Sequence, residues 1–501
     1  MNQNSNQDID YLVNNLSDNF NHSTEIAIIL AAGHGKRIKS QRSKMLHKIW
    51  EIPTVERVFM ACKNGIPDCN TIVVVGIKAP DVMSVIGKRS SNKFAYQKEQ
   101  HGTGHAVQVA MNVIDSNESF DTVYVLPGDM GLLDSETMSK FKKDFKHSNY
   151  DMMVLTGLYS GDPKSNYYGR IVRVKEKTVD GKSSGDDFGK VIEIIEYKDI
   201  LALDDDSLYT VEYRNKKYGY TKLELLEINE YNSGVYAFNF DKLKLLINQL
   251  TPDNAQNEIY ITDLIYLFNK NGFSVGAISP ENEYVVMGFN DKTVLKEMEA
   301  IARRKIFDRL KNIIEISDPD DFFIHEKVVE QIEEMDKKGI PLDISLDKGV
   351  YIGQDVKLNY NNHFGRAVFI DGNVILGENV RLQNMVHLSC FPNQQLIIGN
   401  NVEILWSDII KGNIQIGDNS RIESSVNITG SDEYPTRIGK NVLIKGTSYL
   451  FGTVVEDGVF IEHSVLIRKK VRAVKDENGN IRPVRFYIPI PEGADLVRDV
   501  R

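Results

Sequence analysis

The stretch from Leu30 to Trp50, LAAGHGKRIKSQRSKMLHKIW, carries the densest chemistry in the chain. An apolar run ends in Gly33-His34-Gly35, where missing side chains let backbone N–H groups approach an anion. Six Lys or Arg residues follow between positions 36 and 48, with no Asp or Glu from Gly33 through Trp50. The chain as a whole is acidic, with 60 Lys plus Arg against 70 Asp plus Glu and a net charge of −10. Positive charge concentrated in one place therefore points to a polyphosphate. The segment is not a Walker loop, because Arg37 follows Gly35-Lys36 where a metal-binding hydroxyl would stand. It is not the dinucleotide fingerprint either, since Ile38 replaces the third glycine.

Two further segments carry chemistry. Pro127-Gly-Asp129-Met follows the apolar run TVYVL, which puts a carboxylate at the carboxyl edge of a parallel sheet, where α/β folds bind ligands. Gln97 and Gln100 precede the glycine turn Gly102-Thr103-Gly104 and offer both donor and acceptor, as the edge of a pyrimidine requires.

Leu30-Ala-Ala-Gly-His-Gly-Lys-Arg37 and Ser43-Lys-Met-Leu-His47 resemble the signature of the sugar-1-phosphate nucleotidyltransferases. Within that group the chain is most similar to the N-acetylglucosamine-1-phosphate uridylyltransferases, the pyrophosphorylase half of a bifunctional bacterial enzyme. The similarity runs in order from Glu25 to Asn290. It implies that Leu30, Ala32, Gly33, Gly35, Gln97, Gly102 and Thr103 bind the nucleotide, and that Arg37 and Lys44 stabilise charge as the α-phosphorus is attacked. It also implies that Asp129 and Asn290 hold Mg2+, and that Gly169, Glu196 and Asn232 bind the sugar, with Asn254 to Asp263 supporting the pocket wall. This chain departs from the usual pattern at Lys36, Ile38, Pro127 and Gly131, where Thr or Ser, Met, an aromatic residue and Pro are usual. The expected reaction is uridylyl transfer from UTP to N-acetylglucosamine 1-phosphate, releasing pyrophosphate. The same chemistry on another sugar or base is one alternative. A nucleotide-sugar sensor without catalysis is another, and the retention of Arg37, Lys44, Asp129 and Asn290 argues against it.

These residues need a scaffold, and 501 residues are enough for two to four domains of about 150 residues each. A hydrophobic share of 42% and a charged share of 26% are ordinary for globular chains. Residues 1–24 are polar and read as a tail, in which Tyr11, Leu12 and Leu16 allow one short docked helix. Over residues 25–292, IAIILAA, TIVVVGI, TVYVLPG and DMMVLTGLY read as strands, the first three separated by helix-length stretches. This rhythm predicts a Rossmann-like, mainly parallel sheet with helices on both faces. Residues 175–190 and 204–227 read as surface excursions. A helical linker over 293–337 follows, with one continuous helix from Asp291 to Asn312.

Residues 338–468 repeat an aliphatic residue, a glycine and a polar turn: YIGQDV at 351, ILGENV at 375, IIGNNV at 397, QIGDNS at 415, RIGKNV at 437 and the degenerate VVEDGV at 454. The pattern predicts a left-handed parallel β-helix, with residues 469–501 leaving the repeat. In the bifunctional bacterial enzyme such a helix carries acetyl transfer, but its Asn-Tyr-Asp-Gly and Gly-Ala-Gly-Thr segments are absent from Ile352 to Arg501, so no acetyl transfer is expected. His363, His387 and His463 read as structural. Flat prism faces suit a homotrimer. Cys62, Cys69 and Cys390 are too few and scattered for a disulfide framework. With no apolar stretch of about 18 residues, a cytoplasmic protein without membrane or nucleic-acid partners is expected.

Overall fold

The computed structural model describes residues 3–33, 38–163, 166–254 and 256–486. The chain divides into two units, Met1–Glu299 and Ala300–Arg501. Among the described residues no helix is long and apolar enough to cross a membrane.

Helix α1 (Gln3–Leu16) opens the first unit, and the strands β1 (Glu25–Ala31), β2 (Lys48–Ile49), β3 (Ile52–Pro53), β4 (Asn70–Val75), β5 (Asn92–Tyr96), β6 (Thr122–Pro127) and β7 (Met152–Leu158) follow. Next come β8 (Arg170–Arg173), β9 (Val191–Ile195), β10 (Tyr209–Tyr213), β11 (Lys216–Tyr220), β12 (Glu230–Asn239) and β13 (Val275–Ile278). The main sheet runs β13-β7-β12-β6-β1-β4-β5, with β8 and β9 attached through β12. Along that path all pairs are parallel except those of β12, which runs against both β6 and β7.

Strand β1 shows why the sheet lies between two layers. Its side chains alternate, with Ala27, Ile29 and Ala31 entering one core and Ile26 and Ile28 the other. A strand buried on both faces reads as an unbroken apolar run. The first core is closed by α2 (Thr54–Gly65), α3 (Ala79–Ile86) and α5 (Ser135–His147); α4 (Thr103–Met111), α8 (Phe240–Leu246) and α9 (Leu264–Lys270) close the second. Helix α1 docks on the first core through Ile9, Leu12, Val13 and Leu16, while Tyr11 faces outward.

The two expected surface excursions meet each other and build a third, smaller core. The antiparallel hairpin of β10 and β11 turns at Arg214-Asn215, both with positive φ, and places Val211, Tyr213, Tyr218 and Tyr220 against Val172, Val174 and Ile192. Val179 donates its N–H to Lys217 O at 2.9 Å, which joins the two segments. Short helices α6 (Tyr197–Ala202) and α7 (Lys222–Glu227) flank this core, the latter capped reciprocally by Thr221 and Glu224.

Helix α10 (Lys292–Leu310) contains the boundary between the units. In the second unit, three parallel sheets of two- to four-residue strands stack coil upon coil as a β-helix. One sheet starts at Glu315–Ile316 and another at Phe322–Ile324, ahead of the first glycine repeat and of α11 (Glu326–Asp336). The repeats at 375, 397, 415, 437 and 454 share one sheet, whereas Tyr351 of YIGQDV pairs with Phe369 on another. The glycine repeats therefore occupy two sheets of the coil.

One column of coil corners is turned by asparagines with positive φ at 361, 379, 401, 419 and 441, and another by Ala367, Met385, Ser407, Ser425 and Thr447. Asn361, Asn379 and Asn401 each pass an amide N–H to the next Asn oxygen at 2.9–3.0 Å. On a second face Phe323, Tyr351, Phe369 and His387 stack at 4.6–4.7 Å between centroids, the spacing of neighbouring strands. Lys470–Val471 still pair with Val454–Val455 in the coil, and the chain beyond them folds back, with Val484 bridging to Ile461 and Phe486 N–H donating to Ser464 Oγ at 2.9 Å.

Candidate active site

The chain runs from β1 to β4 and β5 on one side, then returns to β6 on the other side of β1. The strand order thus reverses between β1 and β6, and open α/β sheets bind ligands at the carboxyl ends beside such a reversal. Leu30 pairs with Pro127 across it, and Gly128 donates to Leu30 O at 2.9 Å. Asp129 follows at once. Gly33 lies exposed beyond β1, and Gly35 and Arg37 fall outside the described residues.

Lys44 begins a single 3-10 turn, Lys44–Leu46, whose buried Met45 packs under Gly128 and whose Met45 carbonyl accepts from Thr54 Oγ1 at 3.1 Å. The backbone is thereby fixed, and the ammonium reaches Asp129 Oδ2 as an ion pair and donates to Asn290 Oδ1 at 3.0 Å. It also lies 5.3 Å from the centre of the buried Phe289 ring, within cation–π range. Side-chain exposures of 12% for Lys44 and 14% for Asp129 leave little water to screen the pair. His47 packs edge-on against Phe289, and burial lowers its pKa, assisted by Arg42 and Lys292.

The glutamine segment forms a second wall. Gln100 donates its amide to Ala32 O, which ties this wall to the end of β1. Gln97 is 3% exposed and donates to Gly102 O and to His105 Nδ1, both at 3.1 Å, so it braces the turn from beneath. Burial, then His101, lowers the pKa of His105, consistent with a neutral ring that accepts at Nδ1. Gly102 has φ +107, and a Cβ there would lie 2.5 Å from Ile259 O, so only glycine fits. Thr103 Oγ1 accepts from Ile261 N–H at 3.2 Å, and Gly104 donates to Ile259 O at 2.8 Å. Ile259 and Ile261 thus brace the glutamine segment.

Gly169, Glu196 and Asn232 also come together. Asn232 donates its backbone N–H to Gly169 O at 2.9 Å, and a Cβ on Gly169 would lie 3.1 Å from Glu196 Oε1. The register of β12 against β7 shifts between Asn232 and Val235, a bulge of the kind that re-aims side chains. There Asn232 Oδ1 accepts from Gly234 N–H and Tyr236 OH, both at 2.9 Å. Gly234, at φ +86, would place a Cβ 2.8 Å from Pro127, so this cluster abuts the Asp129 loop.

Burial raises the Glu196 carboxyl to about 7, assisted by Asp199 and Asp263 and opposed by Arg170. Arg170 is fully buried and holds the preceding loop by donating to the carbonyls of Tyr168, Pro163 and Asn166.

The sequence reading did not single out Phe289 or the aromatic pair Tyr168 and Tyr231, stacked at 4.5 Å. Tyr168 OH donates to Gly288 O at 3.0 Å and so links the sugar cluster to Asn290. Both tyrosines line a cavity of about 850 Å³, together with Tyr159, Tyr167, Met287 and Asn290. No spacing rule marks Phe289, but it stands directly before Asn290 in the sequence.

Asp129 Oδ2 and Asn290 Oδ1 are hard oxygens brought to one ammonium, which makes them candidates for holding one magnesium ion. Among the described residues no group of three or more His, Cys, Asp or Glu could hold a metal.

The family model for the MobA-like NTP transferase domain matches residues 27–170. Fold and site together define a nucleotidyltransferase. The bifunctional protein GlmU of Acetivibrio thermocellus is 32% identical over 382 residues, covering 76% of this chain and 74% of the relative. The same protein from Carboxydothermus hydrogenoformans is 31% identical over 385 residues, covering 77% and 69%. A solved UDP-glucose pyrophosphorylase complexed with UDP-glucose aligns over 56% of this chain and 99% of its own, with 13% identity and a TM-score of 0.39. The chain belongs to the GlmU family.

Proposed function

We propose that this protein transfers a uridylyl group from UTP to N-acetylglucosamine 1-phosphate, giving UDP-N-acetylglucosamine and pyrophosphate. The observation that carries the reading is the convergence of Lys44, Asp129 and Asn290 from three distant segments onto one point. Lys44, with Arg37 from the glycine turn, neutralises charge at the α-phosphorus. Leu30, Ala32, Gly33 and Gly35 line the phosphates, and Gln97, Gly102 and Thr103 form the uracil wall. Gly169, Glu196 and Asn232 orient the sugar.

A sugar phosphate with its second pKa near about 6 is already largely dianionic at neutral pH, so no general base is required. The protein aligns that oxygen with the α-phosphorus and screens the repulsion between two anions. Asp129 and Asn290 would hold magnesium, which would supply charge neutralisation for the phosphates there. Direct in-line displacement needs no covalent enzyme intermediate. The reading includes a homotrimer in the cytoplasm and no acetyl transfer on the coil.

Pyrophosphate release across a panel of nucleoside triphosphates and sugar phosphates tests it, with UTP and N-acetylglucosamine 1-phosphate expected to give the highest kcat/KM. Lys44→Ala and Asp129→Ala should each lower kcat by about 10²–10³ with unchanged circular dichroism. Near-normal turnover in both would overturn the assignment.

A further inference from the structure

Lys44 occupies both oxygens of the proposed metal pair. Its ammonium holds Asp129 Oδ2 and Asn290 Oδ1 at once, with Phe289 on another side. The turn beneath it is pinned, by Leu46 N–H to Ser43 O at 3.0 Å and Thr54 Oγ1 to Met45 O, so the side chain moves while its root does not. Four rotatable bonds give that head room to swing.

We propose that Lys44 is an internal counter-cation: it holds Asp129 and Asn290 paired until a divalent ion arriving with the triphosphate displaces it, and its freed ammonium then turns to the phosphates. This rests on the reading of Asp129 and Asn290 as the metal pair. A divalent ion at the oxygens that Lys44 holds would stand beside an ammonium at low exposure, where the two cations repel and so compete for the pair. The triphosphate removes the conflict by giving Lys44 a new anionic partner. The divalent ion alone therefore binds weakly, and the exchange makes its entry depend on nucleotide. A position-preserving change of Lys44 to a neutral residue should uncouple the two.

The test is a titration of the full chain with Mn2+ alone, followed by electron paramagnetic resonance of the free ion. Lys44→Gln and Lys44→Met, two neutral side chains of similar reach, should each bind Mn2+ roughly tenfold or more tighter than the unaltered protein. Adding Asp129→Asn to either should abolish the gain. If both neutral variants bind Mn2+ no tighter than the unaltered chain, the counter-cation role is wrong. The metal reading survives that result provided Asp129→Asn alone still eliminates turnover. Normal turnover in Asp129→Asn removes both.

Discussion

The site end of the first unit and the coil of the second solve opposite problems. In the first unit Lys44 meets Asn290 across 246 positions, and the contact exists only because a nine-stranded sheet brings the segments together. In the coil, Asn379 meets Asn401 at 22 positions and Asn401 meets Asn419 at 18, and every ladder step repeats the last. Non-local contacts concentrate unlike charges at one point, whereas local repetition spreads like groups along an axis. Chemistry and rigidity are thus placed in different kinds of contact: the site depends on particular charged and amide heads, and the coil on residues that fit a shared column.

That contrast can be broken by a lesion in each region. Ile428 is fully buried in the coil, between Ile410 and Leu450 in its column. Ile428→Ala should cost about 2–5 kcal/mol in a denaturant titration, from lost transfer energy and the cavity left behind. Its kcat and KM for uridylyl transfer should stay within about twofold of the unaltered chain, since the nearest-neighbour contacts of a repeat array do not reach far. A matching fall in kcat under native conditions would show that coil and site are not separable.

How much was legible follows the same division. Lys44, Asp129 and Asn290 are readable because each sits in a motif, yet the ion pair between them is not, since nothing in a motif says which charged heads touch. The strand Glu230–Asn239 is not among the four runs read as strands, and its antiparallel direction against β6 and β7 is set by the sheet and not by any local signal. The coil announces itself through glycine and asparagine corners, and its first turn escapes notice because Glu315–Ile316 and Phe322–Ile324 carry no glycine signature. The hairpin of β10 and β11 escapes for a related reason: Arg214-Asn215 turns with positive φ where Asn-Gly would be the usual signal.

Glu196 sharpens the comparison from the site side. Its carboxyl is raised to about 7 by burial first and then by Asp199 and Asp263. If it accepts from sugar hydroxyls only when ionised, the ionised fraction falls about tenfold from pH 8 to pH 6, and KM for the sugar 1-phosphate should rise to match. The substrate's own titration near about 6 adds a second, lower step. Glu196→Gln should remove the step near 7 and leave the lower one. A variant whose KM keeps the full original pH profile would exclude Glu196 from sugar binding.

Asp408 tests the coil by the same physics with a smaller effect. It is fully buried at a position where the equivalent residues of neighbouring coils are Val386 and Val426. Its Oδ1 accepts from Val426 N–H at 2.7 Å, while Oδ2 has no partner among the described residues. Ser420 Oγ does the same for Val442 N–H, and Ser448 Oγ for Ser464 N–H, so a polar residue facing inward satisfies an amide of the next coil. A hydroxyl does this without charge, whereas a carboxyl must stay protonated. Burial accordingly pushes Asp408 up to about 8, against bonds from Val426 and Ser425 that favour the ionised form. The folded pKa exceeds the unfolded value of about 3.9, so the folded chain binds more protons between them. Stability from this group is therefore complete below about pH 4 and declines as pH rises towards about 8. The unfolding free energy should fall by up to about 1 kcal/mol per pH unit between pH 5 and 7. Asp408→Asn keeps the acceptor for Val426 and removes the ionisation, so the difference between the two proteins should carry that slope. A flat difference would mean that the buried carboxyl is already ionised and that the coil shields a charge there as the site does at Asp129.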